Sequence, residues 1–298
     1  MFFVSRNITE LGPKEAEFLS RLAGEGRTIF TVEQARRFWG DAAYTTNVLG
    51  RLENKGWLRR LERGTYLIIP LAAGPTRDWS ESALVIAPYL IQPVAIAYWS
   101  ALHYWNMTEQ VPRTVFVQST RRKHRRQIEV LGIPFCFITV VEAKFFGVVK
   151  RTLNGEPVYV TNREKTLLDA ADRPDLSGGI GQLAQALRTA WADVDWQRLD
   201  EYLTRWGTGS LFKRLGYLVE TLELPLPDRE ECLARWRHSL SSGIALLEPG
   251  RGSTGHIVTR WRLRVNIDLF FAPCERLLPR REAVREHLNI VRRACEMA

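Results

Sequence analysis

TVEQARRFWGDAAYTTNVLGRLENKGWLRRLERGTYLII, residues 31–69, decides how the rest of the chain is read. Thr31 and, three residues later, Gln34 have the spacing of a capping box, in which each side chain satisfies a backbone N–H of the other. Val32, Ala35 and Phe38 then recur at helical spacing, and Gly40 offers the left-handed stop on which a helix ends. After a tight turn, a second helix carries Val48, Leu49 and Leu52 on its inner side and ends at Gly56. Two helices joined by so few residues have helix-turn-helix spacing.

The polar residues of the second helix suit a DNA-reading role. Asn47, Arg51 and Asn54 fall at i, i+4 and i+7, with Lys55 next to them and Tyr44, Thr45 and Thr46 at the N-terminal end. Asparagine pairs bidentately with adenine and arginine with guanine, while threonine, tyrosine and lysine hold phosphates. Residues 57–62 and 65–69 read as two short strands around Arg63-Gly64, a wing whose basic tip reaches backbone or minor groove. The blander alternative is an αα-hairpin with a solvated polar stripe. Cap, turn, stripe and wing converging in one segment favour the DNA-binding reading.

A chain of 298 residues has room for about two domains, and 45% hydrophobic residues supply their cores. The net charge of +9 favours an anionic partner, nucleic acid or an acidic surface. The N-terminus does not read as a signal peptide and no apolar run spans a membrane, so a cytoplasmic protein with no membrane association is expected. Cys136, Cys232, Cys274 and Cys295 are scattered, which predicts reduced, mostly buried thiols. Ten tryptophans, most at helical spacing among apolar residues, read as core.

Residues 13–23 predict a first helix behind the helix-turn-helix, and PLAAGPTRDWS at 70–80 breaks periodicity, which puts a domain boundary near residue 72. Beyond it, 81–90 and 94–104 read as helices and 114–118 and 133–141 as strands. Between those strands lies RRKHRR: Arg121, Arg122, Lys123, Arg125 and Arg126, with His124 among them. This block is either a second phosphate contact or a solvated hairpin turn. Residues 158–160 read as a strand, Thr161 and Glu164 as a capping box, and Leu167, Leu168 and Ala171 as the inner face of the next helix. Residues 180–191, 196–206 and 211–222 are helical, with Asp195 and Ser210 as caps, followed by a helix at 228–240 and paired strands at 244–247 and 257–265. A closing helix is expected at 280–297. The fold class is α+β: an N-terminal winged helix-turn-helix, residues 1–72, and a larger mixed α/β regulatory domain, 73–298, in which a subdivision near 178 is left open.

Four segments resemble the AbiEi antitoxins of bacterial type IV toxin-antitoxin systems. They are the winged helix, WSALHYWNMTEQVP at 99–112, VTNREKTLLD at 160–169 and RWRLRVN at 260–266. The third departs from the family at Asn162, where an acidic residue is expected. The resemblance implies a transcriptional repressor that binds double-stranded DNA of its own promoter. It also implies an antitoxin domain that counters a nucleotidyltransferase-like toxin without forming a stable complex with it. Two alternatives stand beside this: a protein-interaction scaffold whose basic surfaces bind an acidic partner, and an orphan winged-helix transcription factor.

Enzymatic signatures are weaker. Gly250, Gly252 and Gly255 spell G-x-G-x-x-G, but a β-like stretch follows where phosphate binding needs a helix N-terminus. Glu142-Ala143-Lys144 is an acid-x-Lys step after an apolar strand, as in metal-dependent nucleases, with only Glu109 or Asp169 on offer as the second acid. The five histidines lack metal-ligand spacing. No enzyme, cofactor or metal is expected, and the sequence does not indicate the oligomeric state.

Overall fold

The computed structural model describes residues 11–70, 82–153, 155–206 and 208–269. The chain divides into two compact units: residues 1–101 with 112–162, and residues 102–111 with 163–298. Nearly all of the expected boundary stretch at 70–80, the closing helix at 280–297, Cys274 and Cys295 lie outside the described residues.

The first unit begins with a winged helix. Helix α1 (Pro13–Gly24) starts with proline at its first turn, where the missing N–H costs nothing, and Glu15 accepts the Gly12 N–H at 3.1 Å. Strand β1 (Ile29–Thr31) leads into α2 (Val32–Trp39), capped by the expected box: the Thr31 N–H donates to Gln34 Oε1 at 2.7 Å and the Gln34 N–H to Thr31 Oγ1 at 3.4 Å. Gly40 then takes φ 81°. Helix α3 (Ala42–Asn54) follows directly, its cap being Asp41, whose carboxylate accepts the Tyr44 N–H at 2.6 Å. Strands β2 (Leu58–Glu62) and β3 (Thr65–Ile68) form the wing around Arg63-Gly64, with Gly64 at φ 82°. The unforeseen β1 completes a three-stranded sheet in the order β1-β3-β2. Phe18, Leu22, Phe30, Ala35, Val48, Leu49 and Leu52 fill the core between helices and sheet, with Phe18 and Phe30 edge to face at 5.2 Å.

The same unit contains a six-stranded sheet. Helix α4 (Ala83–Leu90) precedes β4 (Ala95–Ile96), α5 (Tyr98–Tyr104), β5 (Val115–Ser119), β6 (Gln127–Val130), β7 (Ile133–Thr139), β8 (Val148–Leu153) and β9 (Glu156–Thr161). The order is β6-β7-β5-β4-β9-β8, with β5 and β7 parallel and β4 and β9 parallel. Two expectations are corrected here. Residues 94–104 are not one helix, because Ala95 and Ile96 pair with β5 and Tyr98, at φ 54°, turns the chain at the first residue of α5. Residues 121–126 are not a hairpin turn either, since β7 lies between β5 and β6.

The second unit is mainly helical: α6 (Arg163–Asp172), α7 (Ile180–Ala190), α8 (Trp196–Trp206), α9 (Gly209–Thr221) and α10 (Arg229–His238). A small sheet of β10 (Ala245–Leu246), β11 (His256–Val258) and β12 (Leu263–Val265) follows in the order β10-β12-β11. Asp195 caps α8 as expected, accepting the Arg198 N–H at 3.0 Å. Ser210 does not cap α9, whose N-cap is Thr208. The expected Thr161/Glu164 box is also replaced: Thr161 belongs to β9 with its hydroxyl donating to the Ile96 carbonyl, α6 opens at Arg163, and Glu164 accepts the Asp195 N–H at 3.0 Å. Trp236 and Trp261 are fully buried in this unit's core. Inside it, Lys165 and Asp169 form an ion pair at 2.5 Å, one turn apart on α6, with the ammonium 4.6 Å from the centre of the Trp206 ring.

Candidate nucleic-acid interface

Helix α3 divides its residues by spacing. Thr45, Val48, Leu49 and Leu52 are buried, whereas Tyr44, Thr46, Asn47, Arg51 and Asn54 are exposed. Thr45 was expected on the reading face and is the exception: it is fully buried and its hydroxyl donates to the Asp41 carbonyl at 2.6 Å. Thr46 stays outside, its hydroxyl donating to the Ala42 carbonyl at 2.9 Å. Tyr44 leans edge to face on Trp39 with centroids 6.5 Å apart, which limits the positions its ring can take. The outward face is therefore Tyr44, Thr46, Asn47, Arg51 and Asn54. Asp41 fixes the start of this face by accepting the first-turn N–H.

A carboxylate on α1 reaches the two cations of α3. Glu15 is buried, and its oxygens lie 3.3 Å from Arg51 Nη2 and 3.4 Å from Lys55 Nζ. Burial opposes the charge on Glu15, but the Gly12 N–H, Lys55 and Arg51 together outweigh it and hold the carboxyl below its ordinary value. Lys55 is thus turned toward α1, while Arg51 remains half-exposed with part of its guanidinium available to a ligand. Glu15 orients the arginine, a role that no local sequence pattern announces.

On the wing, Arg63 is exposed at the tip as expected, and Arg60, which the sequence reading did not single out, is exposed on β2 with its Nε–H donating to the Glu62 carbonyl at 3.3 Å. Strict alternation from buried Leu58 would have placed Arg60 on the inner face; the register shift between Arg60 and Glu62 breaks that period, so no simple sequence pattern marks Arg60 as outward. The RRKHRR block leaves Arg121, Arg122, Arg125 and Arg126 exposed. Lys123 differs: its Nζ donates to the Glu62 carboxylate at 2.8 Å and to the Leu90 carbonyl, and lies 5.1 Å from the centre of the Phe137 ring. One member of the block is therefore an internal tether, not an outward cation.

The enzymatic readings find little to assemble. Glu142, Ala143 and Lys144 form a 3-10 turn with none of the three buried, and Asp169 is engaged with Lys165 in a buried interior. No cluster of His, Cys, Asp or Glu suited to a metal occurs among the described residues. The glycines at 250, 252 and 255 lie in a loop that runs into β11, not a helix, and Gly255 packs against the Val265 carbonyl. Cys136 and Cys232 are buried free thiols, and burial raises that of Cys232 to about 11. No helix among the described residues is long and apolar enough to cross a membrane.

Comparison with known proteins bears on this site. Residues 17–69, which hold both helices and the wing, match the family described as "Transcriptional regulator, AbiEi antitoxin". A solved structure titled "Crystal structure of RV2827C protein from Mycobacterium tuberculosis" is similar with a TM-score of 0.60 at 18% identity, covering 85% of this chain and 92% of that one. At that identity the likeness is one of fold. No curated protein matches the chain.

Proposed function

We propose, from the AbiEi-type match of residues 17–69, that the chain is a sequence-specific DNA-binding repressor of its own promoter and the antitoxin of a type IV toxin-antitoxin system. The observation that carries the DNA reading is the sorting of α3: hydrophobic residues and Thr45 face inward, and Tyr44, Thr46, Asn47, Arg51 and Asn54 form one outward face beginning at the helix N-terminus. That is the part of a recognition helix that enters the major groove. Asn47 and Arg51 are the base readers, Tyr44 and Thr46 hold phosphate, and Arg63 at the wing tip reaches the neighbouring backbone. The region beyond residue 72 serves the antitoxin role against a nucleotidyltransferase-like toxin, without a stable complex.

The test is binding of the full chain to duplex DNA from upstream of its own gene, against scrambled DNA of equal length, at two salt concentrations. Preference for the upstream DNA that persists at the higher salt supports the reading, because counterion release weakens only the sequence-independent part. Equal and steeply salt-sensitive binding to both would sink it and favour a scaffold for acidic partners. The antitoxin role is tested by growth rescue when the chain is co-expressed with the toxin gene beside its own.

A further inference from the structure

The six-stranded sheet carries a basic loop that is fixed at three points and tied to the wing. At its start, the Arg121 N–H donates to Ser119 Oγ at 3.1 Å, and Ser119, buried, donates in turn to the Pro93 carbonyl at 2.6 Å. At its end, the Arg126 carbonyl accepts the Phe137 N–H at 2.8 Å. In the middle, Lys123 is drawn inward to the Leu90 carbonyl and to Glu62. Glu62 is the last residue of β2, directly before Arg63 at the wing tip. Residues far apart in sequence thus meet at one salt bridge, and that bridge neutralises the one acidic side chain of the strand while leaving the arginines around it exposed.

Resting on the DNA-binding reading above, we infer that this loop continues the wing as a second phosphate-binding surface, formed by Arg121, Arg122, Arg125 and Arg126, which lengthens the duplex footprint beyond the bases that α3 reads. Lys123 is its positioning residue and touches no phosphate. A held loop suits this role: its cations are already placed when DNA arrives, so less side-chain and backbone order is lost on binding than from a loose basic tail. The arginines are exposed and none forms an ion pair with another described residue, so their charge is available to replace counterions.

The test compares three full-length proteins: the parent, Arg122→Gln/Arg125→Gln in the loop, and Lys150→Gln/Arg151→Gln on β8, the opposite edge strand of the same sheet. Both pairs are exposed and remove the same charge. The probe is a duplex of about 40 base pairs from upstream of the gene, roughly four helical turns, with binding followed against salt and backbone protection mapped by hydroxyl radicals. The loop variant is expected to lower the slope of log affinity against log salt by ~1 to 2, at about 0.9 for each phosphate that is no longer neutralised. It is also expected to lose protection at one flank of the footprint while keeping its sequence preference. The β8 variant is expected to bind as the parent does. Equal effects of the two variants, or an unchanged flank in the loop variant, would overturn the inference while leaving the α3 reading in place. A parent that fails to bind the duplex would overturn both.

Discussion

At the scale of single residues, the reading face depends on which polar side chains are truly outward. Residue type suggested Thr45 as a contact, but its spacing from Val48, Leu49 and Leu52 is that of the buried stripe, and burial followed spacing. Asn47 and Arg51 are both outward, yet they differ: Arg51 is held by Glu15, whereas Asn47 has no such clamp among the described residues. We expect Asn47→Ala to lose ~1 to 3 kcal/mol of discrimination at one base pair while the melting temperature stays the same, as read by binding to single-base operator variants. Glu15→Gln should behave in the opposite way, lowering stability at neutral pH by about 1 kcal/mol through the weakened clamp, or roughly 2–4 °C in melting temperature. The sign of its pH dependence follows from the depressed carboxyl. The contribution is present above the ordinary value of 4.5 and is lost as pH falls through the lower, folded-state value. Parent and variant should therefore converge in acid; a gap that stays constant below about pH 4 would show that Glu15 acts by shape alone.

At the scale of elements, long periodic helices were legible, and so were the wing strands and the apolar strands at 114–118, 133–141 and 158–160, whereas β1, β6 and β8 were not. Residues 196–206 show apolar spacing near 3.6 with a cap at Asp195, and α8 follows it residue for residue. Strands β6 and β8 escaped notice for different reasons: Gln127–Val130 alternates polar and apolar residues but over only four positions, and Val148–Leu153 runs Val-Val-Lys-Arg-Thr-Leu with no alternation to read. The split of 94–104 escaped for another reason: a continuous apolar run is compatible with a buried strand as well as with a helix. Helix α9 shows what periodicity omits altogether. Gly216 lies in its middle, where glycine weakens a helix, and a methyl group built there would overlap the Trp261 ring. The indole N–H of Trp261 donates to Glu220 Oε2 at 2.6 Å, so the ring is held and cannot easily withdraw. Gly216→Ala, which raises intrinsic helix propensity, should nevertheless destabilise the protein by ~1 to 3 kcal/mol through overpacking, seen as a lower melting temperature. An unchanged or higher melting temperature would mean that the ring moves aside without cost.

At the scale of the whole molecule, the first unit joins two sheets that are far apart in sequence, and nothing local could have announced the joint. Glu156, buried on β9, accepts the Thr28 N–H at 2.7 Å and the Tyr89 hydroxyl at 2.9 Å, connecting the segment before β1 of the winged helix, the helix α4 and the larger sheet. Burial, then the hydrogen bond to Glu156 and its charge, push the Tyr89 hydroxyl well above its usual range, so it remains a donor at any working pH. Replacing Glu156 by alanine would leave a backbone N–H and a phenol without their acceptor in a partly buried place, at a cost of ~1 to 3 kcal/mol. Glu156→Gln keeps an acceptor oxygen for one of the two donors and should cost less than the alanine variant. If the joint is what keeps the winged helix on the larger sheet, amide exchange in Glu156→Ala should rise first at Thr28 and along β1 and β9, before the cores around Phe30 and Phe135 open. Uniform acceleration throughout the first unit would instead mean that the two sheets unfold as one cooperative body, and that Glu156 stabilises the whole unit without acting as a hinge between its parts.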